Sequence, residues 1–284
     1  MPPSPSFAPL PPPSVVQAPV AEQPPTEDPS RLAWLALSLT PGLGSRRILQ
    51  AVERVGSALK LAKLPLTALE AQRFPAPSVQ FLADGQAWRA ATEEAERLRA
   101  MGANFLTYED ELYPERLREI YDPPPVLWVR GNPELLSKPG IAVVGTRQPS
   151  PYGSGMSELL SRDLANRNLI IISGMARGID TFAHKGAMAS GKPTVAIWGT
   201  GIDVIYPKEN KALAEQILAT GGCIASEQPL GTYPAPPTSP SATASSARSR
   251  SVCWSSRPPN TPAPASRRAA PSSRTATYTP SPET

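Results

Sequence analysis

Ala142-Val-Val-Gly-Thr-Arg147, Ile171-Ile-Ser-Gly-Met-Ala-Arg-Gly-Ile-Asp180 and Val195-Ala-Ile-Trp-Gly-Thr-Gly-Ile-Asp203 decide how this chain folds. Each is a short apolar run of strand type that ends in a glycine-rich turn. Strands at 141–144, 169–172, 194–198 and 223–225 alternate with helical spacing near 153–165, 181–189 and 209–219, which predicts a parallel, doubly wound α/β sheet. In such a sheet the strand ends line up along one edge, where backbone N–H groups and helix N-termini can hold phosphates. The function is expected on that edge.

Upstream, the chain changes style at Tyr113-Pro-Glu-Arg-Leu117 and Asp122-Pro-Pro-Pro125, and 126–129 reads as a short strand. Before that point the apolar spacing is helical. Leu32, Trp34, Leu35, Leu37 and Leu39 lie on a helix that stops at Thr40-Pro-Gly-Leu-Gly44; a second helix starts at Ser45, read as its N-cap, and carries Ile48, Leu49, Val52 and Val55. Helix, Pro-Gly-Leu-Gly turn, helix is the form of a helix-hairpin-helix, whose turn amides can hold a DNA phosphate. It is equally the form of an ordinary turn between packed helices. The expected organisation is a disordered Pro-rich arm (1–29), a small all-helical domain (30–105), the α/β domain (106–233) and a disordered tail (234–284).

The 37 prolines set these limits, because they gather at the two ends. The formal charge of +4 is unevenly spread: six arginines face one glutamate after Thr232, three acids lie in the first 30 residues, and about +2 is left for the middle. The middle is close to neutral, so the basic balance makes no case for a nucleic-acid partner. Cys223 and Cys253 offer neither a disulfide framework nor metal-ligand spacing, and no apolar run reaches membrane-spanning length. A cytoplasmic protein is expected, with no metal, cofactor or membrane partner.

Gly145, Thr146 and Arg147 end the first strand, so their amides are expected to face the site and Arg147 to make a two-point contact with a phosphate or base edge. Ser173, Gly174 and Gly178 would let backbone approach a ligand, with Arg177 as a second guanidinium on the same rim. Gly199 and Gly201 add a third close approach, Tyr206 a stacking face and Lys208 a charge near the mouth; Trp198 fits stacking or core. Asp180 reads as a helix cap before a catalytic base, and His184 as a polar helix residue before a site residue. With no nucleophile beside a base and no paired carboxylates, no catalytic residue is assigned. The competing readings are a nucleotide or nucleoside-phosphate enzyme on a related sheet, and an inert truncated product.

At these residues the chain resembles the DNA-processing protein A (DprA, or Smf) family. The matching strings are Tyr113-Pro114 with Asp122-Pro-Pro124, Ala142-Val-Val-Gly-Thr-Arg147 with Tyr152-Gly153, Ile172-Ser-Gly-Met-Ala-Arg-Gly-Ile-Asp180 with Ala183-His184 and Gly186-Ala187, and Gly199-Thr-Gly-Ile-Asp203 with Tyr206-Pro207 and Asn210. The helical part also resembles the sterile-alpha-motif-like N-terminal domain of many members. The resemblance implies a Rossmann-like domain that binds and protects single-stranded DNA and helps load the RecA recombinase in natural transformation, without catalysis. It places Arg147, Ser173, Gly174 and Lys208 at or near the DNA pocket, and implies a homodimer whose contacts belong to the C-terminal part.

After Ser226-Glu-Gln-Pro-Leu-Gly-Thr232 the likeness stops. The family continues with a Phe-Pro-x-Arg-Asn-Arg segment, a helix, a Val-Val-Glu-Ala strand and a Val-Pro-Gly strand, whereas this chain has a Pro, Ser, Ala and Arg tail without lysine. The third base of each codon can be joined to the first two of the next, with synonymous codons chosen to match the family. From Thr238 the other frame can then be read as F-P-K-R-N-R-L-I-S-A-L-S-L-G-V-L-V-V-E-A-P-E-Y-S-G-A, and from Ala276 to Thr284 as D-V-Y-A-V-P-G-N. A frameshift near 234–238 is inferred. It would truncate the sheet, and the strand at 223–225 is then expected to have an uncovered edge and an incomplete face.

Overall fold

The computed structural model describes residues 27–234, and the chain divides into two compact units, Met1–Tyr108 and Glu109–Thr284. The Pro-rich arm up to residue 26 and the tail from 235, with its inferred change of frame, lie outside the described residues.

The first unit holds α1 (Pro29–Leu39), α2 (Ser45–Val55), α3 (Ala58–Ala62), α4 (Leu66–Glu70), α5 (Ala76–Ala83), α6 (Gln86–Ala100) and a closing strand β1 (Ala103–Thr107). Asp28 caps α1 by accepting the Ser30 N–H at 3.0 Å, and Pro29 occupies the first helical position, where its missing N–H costs nothing. Trp34, Leu35 and Leu37 of α1 are buried with Ile48, Leu61, Leu69 and Leu98, which is the helical core that the spacing predicts. The turn Thr40–Gly44 joins α1 to α2 as expected, but the cap of α2 is Gly44 with Ser45 inside the helix, so the expected Ser45 cap is corrected. Arg31 reaches from α1 to the Phe105 carbonyl and ring, tying the first helix to β1.

The second unit begins with α7 (Glu115–Arg118) and β2 (Val126–Gly131), then alternates β3 (Gly140–Ala142), α8 (Pro151–Asn166), β4 (Ile170–Ser173), α9 (Ile179–Ala189), β5 (Thr194–Trp198), α10 (Lys211–Ala219) and β6 (Cys223–Ser226). Its strands lie in the order β2-β6-β5-β4-β3. β3 to β6 are parallel, whereas β2 runs antiparallel to β6 with Trp128 opposite Ser226 and Gly131 opposite Cys223. The sheet is therefore mixed and mostly parallel. It also corrects the expectation for 223–225: β6 is enclosed between β5 and β2, so its edge is covered, because β2 pairs from the N-terminal side.

Side chains alternate across these strands. The register puts Ile141, Ile171, Thr194, Ala196 and Ile224 on one face and Ala142, Ile172, Val195, Ile197 and Ala225 on the other. The first face receives the helices: Ile171 and Val143 pack with Ala165 and Leu164 of α8 and with Ala183 and Ala187 of α9. α8 and α9 cross closely because their facing residues are small. A Cβ on Gly186 would overlap the backbone of Glu158, and Ser157, Ser161 and Ala165 line the buried side of α8. The other face is covered by the segment 109–139, where the Tyr113 hydroxyl donates to the Pro124 carbonyl at 2.8 Å.

Candidate nucleic-acid interface

The turns after β3, β4 and β5 all lie on the C-terminal edge, and what joins the first two is a buried carboxylate. Asp180, in the first turn of α9, is only 7% exposed. Burial raises its carboxyl pKa above the ordinary carboxylate value, while backbone N–H groups of Gly145, Ala176 and Asp180 itself, with the Arg147 charge, pull it back down. Asp180 is thus neither a free base nor a simple helix cap. It staples the turn after β3 to the turn after β4.

The glycines serve the same junction. A Cβ on Gly174 would stand 2.6 Å from Asp180 Oδ2, and one on Gly145 would stand 2.7 Å from Ile179. Gly178 has φ +83°, and a Cβ there would overlap the Thr146 carbonyl oxygen, which itself accepts the Ile179 N–H at 3.2 Å. That bond satisfies one of the open amides at the start of α9. Gly201 packs against the Pro229 carbonyl and donates its N–H to Thr232 at 2.9 Å, while Asp203 accepts the Gly231 N–H. A Cβ on Gly199, by contrast, would meet nothing within 4 Å. The expectation that the Gly145 amide faces a ligand is corrected accordingly: it faces Asp180, because a buried carboxylate needs donors.

Two further groups belong to the scaffold. Ser173 is buried, and its hydroxyl donates to the Val143 carbonyl at 2.6 Å, tying β4 to the end of β3. His184 is fully buried; its Nε2 lies 2.8 Å from the Gly174 carbonyl, which can only accept, so Nε2 carries the hydrogen, and its Nδ1 lies 2.9 Å from the hydroxyl of Thr194, which donates to the Ile171 carbonyl at 2.7 Å. Burial pushes its pKa down to about 4. Asn210 holds the turn after β4 to the start of α10, donating to the Met175 carbonyl at 2.8 Å.

What faces outward is different in kind. Residues 144–148 are exposed, and Arg147 takes part in no ion pair among the described residues. Lys208 is exposed and Tyr206 is 53% exposed, whereas Trp198 lies in the core. Arg177 is exposed but pairs with Glu209, which the sequence did not reveal because the partners are 32 residues apart. Tyr152 at the start of α8 and Tyr233 beyond β6 are 77% and 75% exposed on turns of this same edge, two aromatic faces that the residue-by-residue reading missed.

This is the build of the Rossmann-like α/β proteins, in which ligands lie outside the carboxyl ends of parallel strands. Residues 104–242 match the family model of DNA recombination-mediator protein A. The fold is similar to the X-ray structure of DNA processing protein A from Streptococcus pneumoniae, with a TM-score of 0.58 and 31% identity over 73% of this chain and 70% of that one. Protein Smf of Synechocystis is 35% identical over 208 residues, and DNA processing protein DprA of Streptococcus pneumoniae is 48% identical over 108. The chain belongs to the DprA/Smf family of DNA-processing recombination mediators. It spans about half the length of the Synechocystis relative and 38% of the pneumococcal one. Among the described residues no helix is long and apolar enough to cross a membrane.

Proposed function

We propose that this protein is a single-stranded DNA-binding recombination mediator that takes DNA along the strand-end edge, protects it and helps load the RecA recombinase. The observation that carries the reading is the division of the edge: its carboxylate and several of its turn amides are consumed inside the scaffold, while Arg147 and Lys208 stand exposed without ion-pair partners among the described residues. Phosphates are therefore held by side-chain cations rather than by a backbone nest. Exposed Tyr206, with Tyr152 and Tyr233, gives faces on which unpaired bases stack, a contact that duplex DNA does not offer.

The test is fluorescence anisotropy with a labelled single strand and the matching duplex at rising salt, on the 284-residue and frame-restored chains. Preference for the single strand, with affinity falling steeply as salt rises, is expected. Equal or better binding of duplex, or affinity indifferent to salt, overturns it.

A further inference from the structure

A basic face runs along one side of the first unit and takes no part in the strand-end edge. Between residues 40 and 75 stand Arg46, Arg47, Arg54, Lys60, Lys63 and Arg73, all exposed, against Glu53 and Glu70. From 29 to 52 the chain has no acidic residue at all. The near-neutral balance of the middle therefore hides a segregation, because Asp84, Glu93, Glu94 and Glu96 lie on or just before α6. Arg47 and Arg54 are two turns apart on α2, so they share its exposed side at about 10 Å. Arg54 Nε donates to Gln72 Oε1 at 3.3 Å, which brings the segment of Arg73 beside them. Arg47, Arg54 and Arg73 take part in no ion pair among the described residues.

The face continues into the hairpin between α1 and α2. That hairpin is held from within: the Ser78 hydroxyl of α5 donates to the Pro41 carbonyl at 2.6 Å, and the Leu43 N–H reaches the Thr40 carbonyl at 3.3 Å. Outward it is open. Gly42 and Gly44 are exposed, and the N–H groups of Gly42, Gly44 and Ser45 meet no acceptor among the described residues. No side chain caps α2 and no acid stands in its first turn. Arg46 and Arg47 stand there instead, at the end of a helix where the peptide dipoles disfavour a cation. An anion offsets that repulsion. No aromatic side chain of this unit is exposed among the described residues, so the face offers charge and amides but nothing on which a base stacks. It fits a polymer of phosphodiesters whether or not its bases are paired.

We propose that the exposed side of α2 and its hairpin form a second DNA surface, which holds the phosphate backbone of duplex and single strand alike. Arg47 and Arg54 pair with the phosphate charge, and the open amides of the hairpin donate to phosphate oxygens. This surface does not rest on the reading of the strand-end edge. A single strand engages both surfaces and a duplex this one alone, so the protein still prefers the single strand. Weaker, salt-sensitive binding of duplex is the signature of the helical unit.

The test is anisotropy of a blunt labelled duplex at low salt on the 284-residue chain, with melting temperature as control. Gly44→Asp separates binding from folding. Gly44 is the N-cap of α2 with φ −90° and ψ 157°, and a Cβ there meets nothing within 4 Å, so aspartate caps the helix with its own carboxylate. Its melting temperature is expected to hold or rise, while the carboxylate occupies the amides and repels phosphate. Duplex affinity is expected to fall at least about tenfold in Gly44→Asp, and further in the double variant Arg47→Glu/Arg54→Glu, with a shallower salt dependence. Duplex affinity unchanged in both variants overturns the proposal and assigns the binding to the edge or to the arginines after Thr232. A folded chain that binds no duplex overturns it too. So does a double variant that loses both melting and binding while Gly44→Asp binds normally, since the arginines are then structural. Single-strand affinity undiminished in Arg147→Ala counts only against the edge.

Discussion

Asp180 and Arg147 belong to neighbouring turns of one edge, yet their surroundings are opposite. The carboxylate is 7% exposed and surrounded by amides, while the guanidinium is exposed and in no ion pair among the described residues. Around Asp180 the motif residues Gly145, Gly174, Gly178, Ser173 and His184 all spend their contacts on one another's turns. Arg147 acts on that carboxylate through its charge alone and forms no ion pair with it. A dense motif therefore contains two layers, an inner one that fixes where the strand ends sit and an outer one left for a ligand. Mutations in the inner layer should read out as lost folding, and those in the outer layer as lost binding.

The largest expected effect breaks the inner layer. Gly178→Ala puts a Cβ into the Thr146 carbonyl at a backbone conformation that L residues rarely adopt, so destabilisation of about 3 kcal/mol or more is expected. Gly199→Ala, with open space around it, should cost less than about 1 kcal/mol. Thermal melting of the pair checks this; similar melting temperatures would remove the distinction between the layers.

Arg147→Ala is the matching cut in the outer layer. It should leave stability within about 1 kcal/mol and lose roughly 1.5–3 kcal/mol of DNA binding, the worth of a charge-assisted contact. Melting and anisotropy on one preparation separate the outcomes. A collapse in melting temperature with intact binding by the folded fraction would move Arg147 into the scaffold.

His184 tests the inner layer by pH. Its folded pKa of about 4 lies below the ordinary value of 6.5, so between these values the unfolded chain binds more protons and stability falls as pH falls. The contribution is full above pH 6.5, and on the order of 2 kcal/mol of it should be gone at pH 5. His184→Gln should flatten that slope, while DNA binding by the folded protein at pH 7.5 stays unchanged. A slope that persists in the variant assigns the titration elsewhere.

Strand, turn and helix order were legible because apolar runs and glycine turns are local signals, and β5 falls at Thr194–Trp198 as expected. Pairings were not. Nothing in Val126 to Val129 says that β2 runs antiparallel to β6, because register is set by residues a hundred positions away. Glycine spacing likewise marks a close approach without naming what approaches. At Gly174 and Gly178 the partner is Asp180 and Thr146 rather than a ligand. The exposed character of Arg147 and Lys208 was the part of the candidate site that the sequence conveyed, since charged residues just beyond a strand end have no core to enter.

The smallest effect sharpens the outer layer. Arg177 is exposed and held by Glu209, also exposed, whose carboxyl pKa is lowered first by its own backbone amide and further by Arg177. An ion pair in water constrains little, so Arg177→Ala should weaken DNA binding by less than about tenfold, and less than Arg147→Ala. Removing the partner is more informative. Glu209→Gln both frees Arg177 and takes a negative charge from the edge, so binding of a single strand should tighten at low salt, with the gain vanishing as salt screens it. The check is anisotropy of both variants at two ionic strengths, with melting temperature as control. Weaker binding by Glu209→Gln would mean that the pair orients Arg177 for DNA instead of withholding it, and Arg177 would then join Arg147 as a fixed part of the outer layer.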